Sequence, residues 1–258
     1  MNLRVGIFFG GPSREREISF AGGRTVYDNL NQRLFTPVPI FVDSFRNWVL
    51  LNWQYVYKGS IRDFYPPVSA LPPSANDFRI YAESIAGLDA AAQAKLLGQI
   101  GTVIPPEQIG EHIDLAFLAL HSEDGQLQQQ LEDLGIAYTG SSVRASQIGM
   151  DRVLQKELMA TKGFACPKAQ VITREAWLKG SVGDFYEKAV TDIKWPLVIR
   201  PAKQGSSIGV SIIQEEVGLA GFEKAVENAF FREIIPVHEW QVRSPFERVE
   251  YVKRVADI

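Results

Sequence analysis

Cysteine is almost missing from this chain. Cys166 is the only one among 258 residues, which excludes an intrachain disulfide framework and a cysteine-rich metal cluster. An excess of one charge sign is missing too: 27 Lys and Arg against 30 Asp and Glu leave a formal charge of −3. That balance gives no bulk attraction to nucleic acid or to anionic lipid. No apolar run approaches the roughly 18 residues of a membrane span, and the N-terminus lacks the basic and apolar regions of a secretory leader. Internal repeats and low-complexity tracts are absent as well. These absences predict a soluble, cytoplasmic protein that binds neither nucleic acid nor membrane.

What is present is ordinary globular material. Hydrophobic residues make up 46% and charged residues 22%, enough apolar content for a packed core. The length suits about two domains. Leu3–Phe9 is a buried-strand run, Glu17–Asn29 has helical spacing at Ile18, Ala21, Val26 and Leu30, and Thr36–Val42 is a second strand. Strand, loop, helix, strand is the opening of a doubly wound α/β unit. Ile113–Leu120 returns to a buried strand, Gly125–Leu134 to a helix, and a β-type segment ends at Thr139. The spacing therefore predicts an N-terminal α/β domain over 1–150 with a parallel sheet, then a small α+β domain over 151–258.

The stretch from about 44 to 110 reads as an insertion on the first domain with a small satellite core of its own. Within it, Asn47–Lys58 predicts a β-hairpin, Phe64–Asp77 a proline-rich loop and Leu88–Ile100 a helix. Ser142–Gly163 predicts one or two helices broken near Gly149. Beyond it come a strand at Ala169–Ile172, a helix capped by Thr173, and a helix near Asp184–Asp192. Leu197–Arg200 and Ser211–Ile213 pair as antiparallel strands, Phe222–Phe231 is a helix and Ile234–Trp240 a strand. The last residues, Val255 to Ile258, read as the interior of another strand.

Three loops carry the chemistry. The first, Gly10-Gly11-Pro12-Ser13-Arg14-Glu15-Arg16-Glu17-Ile18-Ser19, follows a strand and opens a helix, where backbone amides and the helix dipole favour an anion. Its glycines do not reproduce the dinucleotide fingerprint. Glu15 has two readings: a partner for a ligand ammonium, or an acidic residue favouring the helix start. His121, in His121-Ser122-Glu123-Asp124-Gly125, ends a buried strand at the edge where open α/β sheets bind ligands. It can donate to a carboxylate or developing oxyanion, or simply close the strand end. The third loop, Gly205-Ser206-Ser207-Ile208-Gly209, brackets two serines with glycines between strands. Free amides and hydroxyls there suit a triphosphate, with Arg200 on the strand before.

As a set, these loops with Tyr138-Thr139-Gly140-Ser141, Met150-Asp151-Arg152 and Arg200-Pro201 resemble the D-alanine–D-alanine ligase family of ATP-grasp enzymes. The resemblance covers Arg4–Asp43, Ile113–Lys162 and, more loosely, Pro167–Trp240. It implies a pre-ATP-grasp domain followed by an ATP-grasp central domain. It also implies a reaction in which ATP phosphorylates the carboxylate of one D-alanine and the amine of a second attacks the acyl phosphate. The dipeptide then enters peptidoglycan synthesis. By this resemblance Glu15 holds the first D-alanine ammonium, Ser206 helps fix Glu15 and the flap, and His121 lies near the first substrate. Gly205, Ser207 and Gly209 cover the phosphates, Arg152 and Arg200 meet the ATP phosphates, and Glu239-Trp240 lies on the adenine side with Glu247 at the ribose. A homodimer is also implied.

Departures accompany the likeness. Arg152 and Arg200 stand where the family has lysine, and arginine differs in bulk and fork geometry. The Mg²⁺ ligands of the family, and its transition-state arginine, find no counterpart after Trp240. The expectation is a truncated or fragmentary form of a longer ligase, nearly inactive alone, with a natural short relative as the other reading. A ligase for a different amino acid and a non-catalytic nucleotide- or amino-acid-binding relative stay open. A dehydrogenase-like α/β domain leaves Gly205–Gly209 unexplained.

Overall fold

The computed structural model describes residues 2–66, 87–121, 124–232 and 235–256. They divide into two compact units, Met1–Ser146 with Val237–Ile258, and Gln147–Pro236. The sequence placed everything from 151 onward in one domain; here the last segment groups with the first unit instead.

The first unit is built on strand β1, Leu3–Gly10, whose residues Val5 to Gly10 are all buried. Side chains of a strand alternate between faces, so a run with no polar interruption needs both faces covered. That is what surrounds it. Ile7 and Phe9 point into a cluster with Phe20, Phe41 and Val49, while Phe8 points into another with Ile40, Trp48, Ile113 and Leu131. β1 pairs in parallel with β2 (Phe35–Val42) along all its length, and with β5 (Leu115–Leu118) on the other side. Helix α1, Arg16–Asn29, crosses from β1 to β2.

The sheet extends outward through β3 (Trp48–Leu51) and β4 (Gly101–Ile104), both antiparallel, giving the order β4-β3-β2-β1-β5-β6. β6 is the pair Ala137–Tyr138. Two expectations fail here. Asn47–Lys58 is no hairpin: β3 stops at Leu51 and Trp53–Tyr57 is a 3-10 turn, because β3 finds its partners in β2 and β4. Nor is there a satellite core. Val49, Leu51, Val56, Ile61, Phe64, Tyr65, Leu96, Leu97 and Ile100 join the cluster of Val5, Ile7 and Phe9, so the stretch forms a wall of the main core. Helix α2 is Ala90–Leu97. Most of the loop expected at Phe64–Asp77 lies outside the described residues. Helix α3, Gln126–Asp133, follows β5.

Helices α4 (Val143–Met150) and α5 (Arg152–Thr161) are separated by Asp151, whose side chain caps α5, rather than by Gly149. The second unit continues with α6 (Arg174–Lys179), α7 (Val182–Asp192), strands β7 (Leu197–Ile199) and β8 (Ser211–Ile213), and α8 (Gly218–Ala229). Thr173 caps α6 by accepting from the Ala176 N–H at 3.1 Å. β7 and β8 are antiparallel, and one face of the pair packs on Trp177, Ala189, Phe222 and Val226. The strand expected at Ala169–Ile172 does not form: the segment has no ladder partner and stays irregular.

The C-terminal expectations also change. Instead of a strand ending at Trp240, the chain forms helix α9, Val237–Gln241, and then helix α10, Pro245–Ala256. Residues 234 and 257–258 of those expected strands lie outside the described residues. No helix among the described residues is long and apolar enough to cross a membrane.

Candidate functional site

In the first unit the loop after β1 is shaped by two glycines with φ of +96° and +88° at Gly10 and Gly11, a region that L side chains avoid. The Gly10 N–H donates to the buried Ser19 Oγ at 2.9 Å, and the Gly11 N–H to the Val42 carbonyl at 2.8 Å. Farther along, the Glu15 N–H donates to Ser13 Oγ and the Arg16 N–H to the Ser13 carbonyl, both at 3.1 Å. Four amides of the loop are therefore committed internally, and the anion cradle expected from them does not lie open. What the loop offers instead is a carboxylate. Glu15 is only 6% exposed and occupies the N-cap position of α1 without any capping hydrogen bond from its side chain. The acid in the first turn is Glu17, whose Oε2 accepts from the Ile61 N–H at 2.9 Å and ties α1 to the neighbouring turn.

His121 lies exposed beyond β5. Phe8 pairs with Leu118, and the Ala119 N–H donates to the Phe8 carbonyl at 2.9 Å. The His121 and Gly10-Gly11 segments thus leave the sheet at the same edge, the carboxyl end of two adjacent parallel strands, where open α/β sheets take ligands. Gly125, at φ +87°, then turns the chain into α3.

Two buried polar residues lie in the same unit. Asp43 is 1% exposed, and its carboxylate accepts from the Phe45 N–H, the Asn47 N–H and Asn47 Nδ2, each at 2.8 Å. It closes the turn after β2, an Asx-type arrangement whose signal was Asp-Ser-x-x-Asn. Gln128 is 5% exposed and donates to Ser146 Oγ at 3.2 Å, joining α3 to α4.

In the second unit the loop between β7 and β8 is wound through left-handed conformations at Ser206 (φ +49°), Ser207 (+58°) and Gly209 (+71°). Hydrogen bonds from Ile208 N to Gly205 O (3.1 Å) and from Val210 N to Ser207 O (3.2 Å) make two successive tight turns. Ser206 and Ser207 are exposed at the tip. Below them, Arg152 Nη2 donates to the Gln204 carbonyl at 3.1 Å and Lys203 Nζ lies 3.2 Å from Asp151 Oδ2. The Leu154 N–H, and then Lys203, hold the Asp151 carboxyl below its ordinary range. Partial desolvation, and then the Arg152 charge, lower the pKa of Arg200. Two guanidiniums beside a turn of small polar residues make a neighbourhood in want of an anion.

The adenine-side and ribose residues fare differently. Glu239 and Trp240 lie on α9, in the segment that groups with the first unit. The Trp240 ring meets Tyr251 edge-on at 6.1 Å and lies under the Arg248 guanidinium at 5.5 Å, so it packs α9 on α10. Glu247 accepts from both the Ser244 N–H and Ser244 Oγ at 2.7 Å. Its carboxylate closes a capping box on α10. Among the described residues no group of three or more His, Cys, Asp or Glu is placed to hold a metal ion.

Comparison with known proteins bears on both units. The family described as D-ala D-ala ligase N-terminus matches residues 4–141, and that described as D-ala D-ala ligase C-terminus matches 158–240. A D-alanine–D-alanine ligase of Chlorobaculum tepidum is 31% identical over 87% of this chain and 58% of its own length. One from Pelotomaculum thermopropionicum is 29% identical over 94% of the chain and 58% of its length. The chain thus spans a little over half of these curated relatives. In fold it is similar to the D-Ala:D-Ser ligase VanG of Enterococcus faecalis, with a TM-score of 0.58, 23% identity, and coverage of 90% of this chain and 61% of that one. A Helicobacter pylori D-alanine–D-alanine ligase gives the same TM-score at 19% identity, covering 89% and 63%.

Proposed function

This chain belongs to the D-alanine–D-alanine ligase family, and from that premise we propose that it serves the ATP-dependent joining of two D-alanines for peptidoglycan precursor synthesis in the cytoplasm. The observation that carries the reading is the place of Glu15: a residue 6% exposed between β1 and α1, at the carboxyl edge of the sheet that His121 shares. A carboxylate held at that edge offers a charged acceptor of the kind that an amino-acid ammonium requires. His121, leaving the sheet at the same edge, supplies a donor for the substrate carboxylate.

The second unit would hold the nucleotide. ATP supplies the phosphoryl group that activates the first D-alanine's carboxylate. Gly205, Ser206, Ser207 and Gly209 offer the small, hydrogen-bonding surface that a triphosphate requires, and Arg200 supplies permanent positive charge. Two Mg²⁺ ions, implied by the family resemblance, have no acidic cluster among the described residues. The chain is expected to bind both ligands.

Two measurements test this. In calorimetric titrations Glu15→Gln weakens D-alanine binding about tenfold or more, the loss of one charged hydrogen bond, while a non-hydrolysable ATP analogue binds as before. Equal loss of both ligands contradicts the assignment. Release of ADP with Mg-ATP, compared with and without D-alanine and against L-alanine, reports whether the reading extends to catalysis.

A further inference from the structure

The foot of the Gly-Ser loop is held in a way that nucleotide chemistry does not demand. Two consecutive residues at the start of α5 grip three consecutive residues of the loop stem. The Arg152 N–H donates to the Ala202 carbonyl at 3.1 Å, the Arg152 guanidinium to the Gln204 carbonyl at 3.1 Å, and Asp151 pairs with Lys203 at 3.2 Å. Asp151 meanwhile caps α5 through the Val153 and Leu154 N–H groups at 3.0 and 3.1 Å. The stem is thus fixed to a helix end that is itself fixed. Immediately beyond it, Ser206 and Ser207 hold left-handed conformations at φ +49° and +58°. Non-glycine residues stay there only when their surroundings over-determine them.

We propose that Arg152 is a positioning residue that latches the loop: its backbone and guanidinium pin residues 202–204 to helix α5, keeping the Ser206–Ser207 tip wound, while Arg200 is left to meet the anionic ligand. The chemistry of the side chain fits. A guanidinium is a planar fork that donates in more than one direction, whereas a lysine ammonium is a point charge on a shorter reach. An arginine at 152 therefore brings a directional bond to a main-chain carbonyl, which charge alone does not provide. Only the role left to Arg200 rests on the nucleotide reading; the latch stands on contacts within the second unit.

The test is amide hydrogen exchange on the full chain without ligand, followed at the hydrogen-bonded amides of Ile208 and Val210 and at the amide of residue 152. In Arg152→Met these amides should exchange about fivefold faster or more, the ratio one lost hydrogen bond implies. Amides in β7, β8 and α8 should keep their rates, and Arg200→Met should match the wild type throughout. Unchanged exchange in a folded Arg152→Met protein overturns the latch. Should that variant fail to fold, Arg152→Lys takes its place: faster exchange at the same amides supports the latch, and wild-type rates sink it. Titration with a non-hydrolysable ATP analogue separates the two readings. A wild type that does not bind the analogue ends the nucleotide reading, while the exchange rates still decide the latch.

Discussion

At Gly10 a substituent would have to share space with the Val42 carbonyl oxygen, 2.5 Å from an added Cβ, and with the Phe41 ring at 2.8 Å. The backbone there is left-handed as well, so Gly10→Ala combines strain with overlap and should cost about 3 kcal/mol. A urea titration gives that value directly; a change under about 1 kcal/mol would mean the loop relaxes freely. The pair formed by Arg4 and Asp114, joined at 2.6 Å, makes a prediction in pH. The Arg4 side-chain hydrogen bond holds the Asp114 carboxyl at about 2, against an ordinary 3.8. The unfolded chain therefore binds the proton first, and the stability this pair contributes is full above pH 4 and lost as pH falls through about 2. Thermal melts of Arg4→Met and wild type should differ by a constant amount near neutrality and converge towards pH 2. The glycine pair was legible because its conformational freedom is a property of the residue alone. Asp43 and the grip of Arg152 were not, since each acquires its meaning from backbone atoms that only the fold brings near.

Among the elements, β1, β2, β5 and α1 could be read from the sequence because each is an uninterrupted run of one period, buried on a continuous face. The errors fall where a short aromatic or apolar segment chooses partners at long range. Trp53, Tyr55 and Tyr57 look like alternating strand residues, yet the 3-10 turn they form buries Val56 completely and leaves Trp53 63% exposed. The C-terminal helix was missed although its signal was present: Ser244-Pro245-Phe246-Glu247 has the capping residue, the first-turn proline and the reciprocal acid of a helix start. In the structure Ser244 Oγ donates to Glu247 Oε2 at 2.7 Å and accepts from the Glu247 N–H at 3.3 Å. Replacing Ser244 by Ala should fray the first turn of α10, seen as faster exchange of the Phe246 and Glu247 amides with little change in the middle of the helix. Uniform loosening along α10 would instead assign its stability to the cap.

On the scale of the molecule, each unit closes on its own apolar clusters: two flank the six-stranded sheet, and one lies under β7 and β8. Phe222, 2% exposed at the centre of the latter, touches both Trp177 and Tyr186. Phe222→Ala should remove about 3–5 kcal/mol from the second unit, and exchange at β7 and β8 should accelerate while β1 and β5 keep their protection. Equal loss in both would mean that the chain unfolds as one body. The length of the chain suits two domains. The return of Val237–Ile258 to the first unit was not legible, because nothing local marks which cluster a short helix joins. The sheet order carries one more consequence. β1 is bonded to β2 over eight residues and to β5 from Val5 to Phe8, so it acts as a ruler for heredity. A codon gained inside Leu3–Gly10 would turn every later side chain of the strand to the opposite face and hand Gly10's left-handed geometry to Phe9, which cannot readily adopt it. Lineages descending from this protein can therefore change length in the connections that flank β1 far more readily than within it.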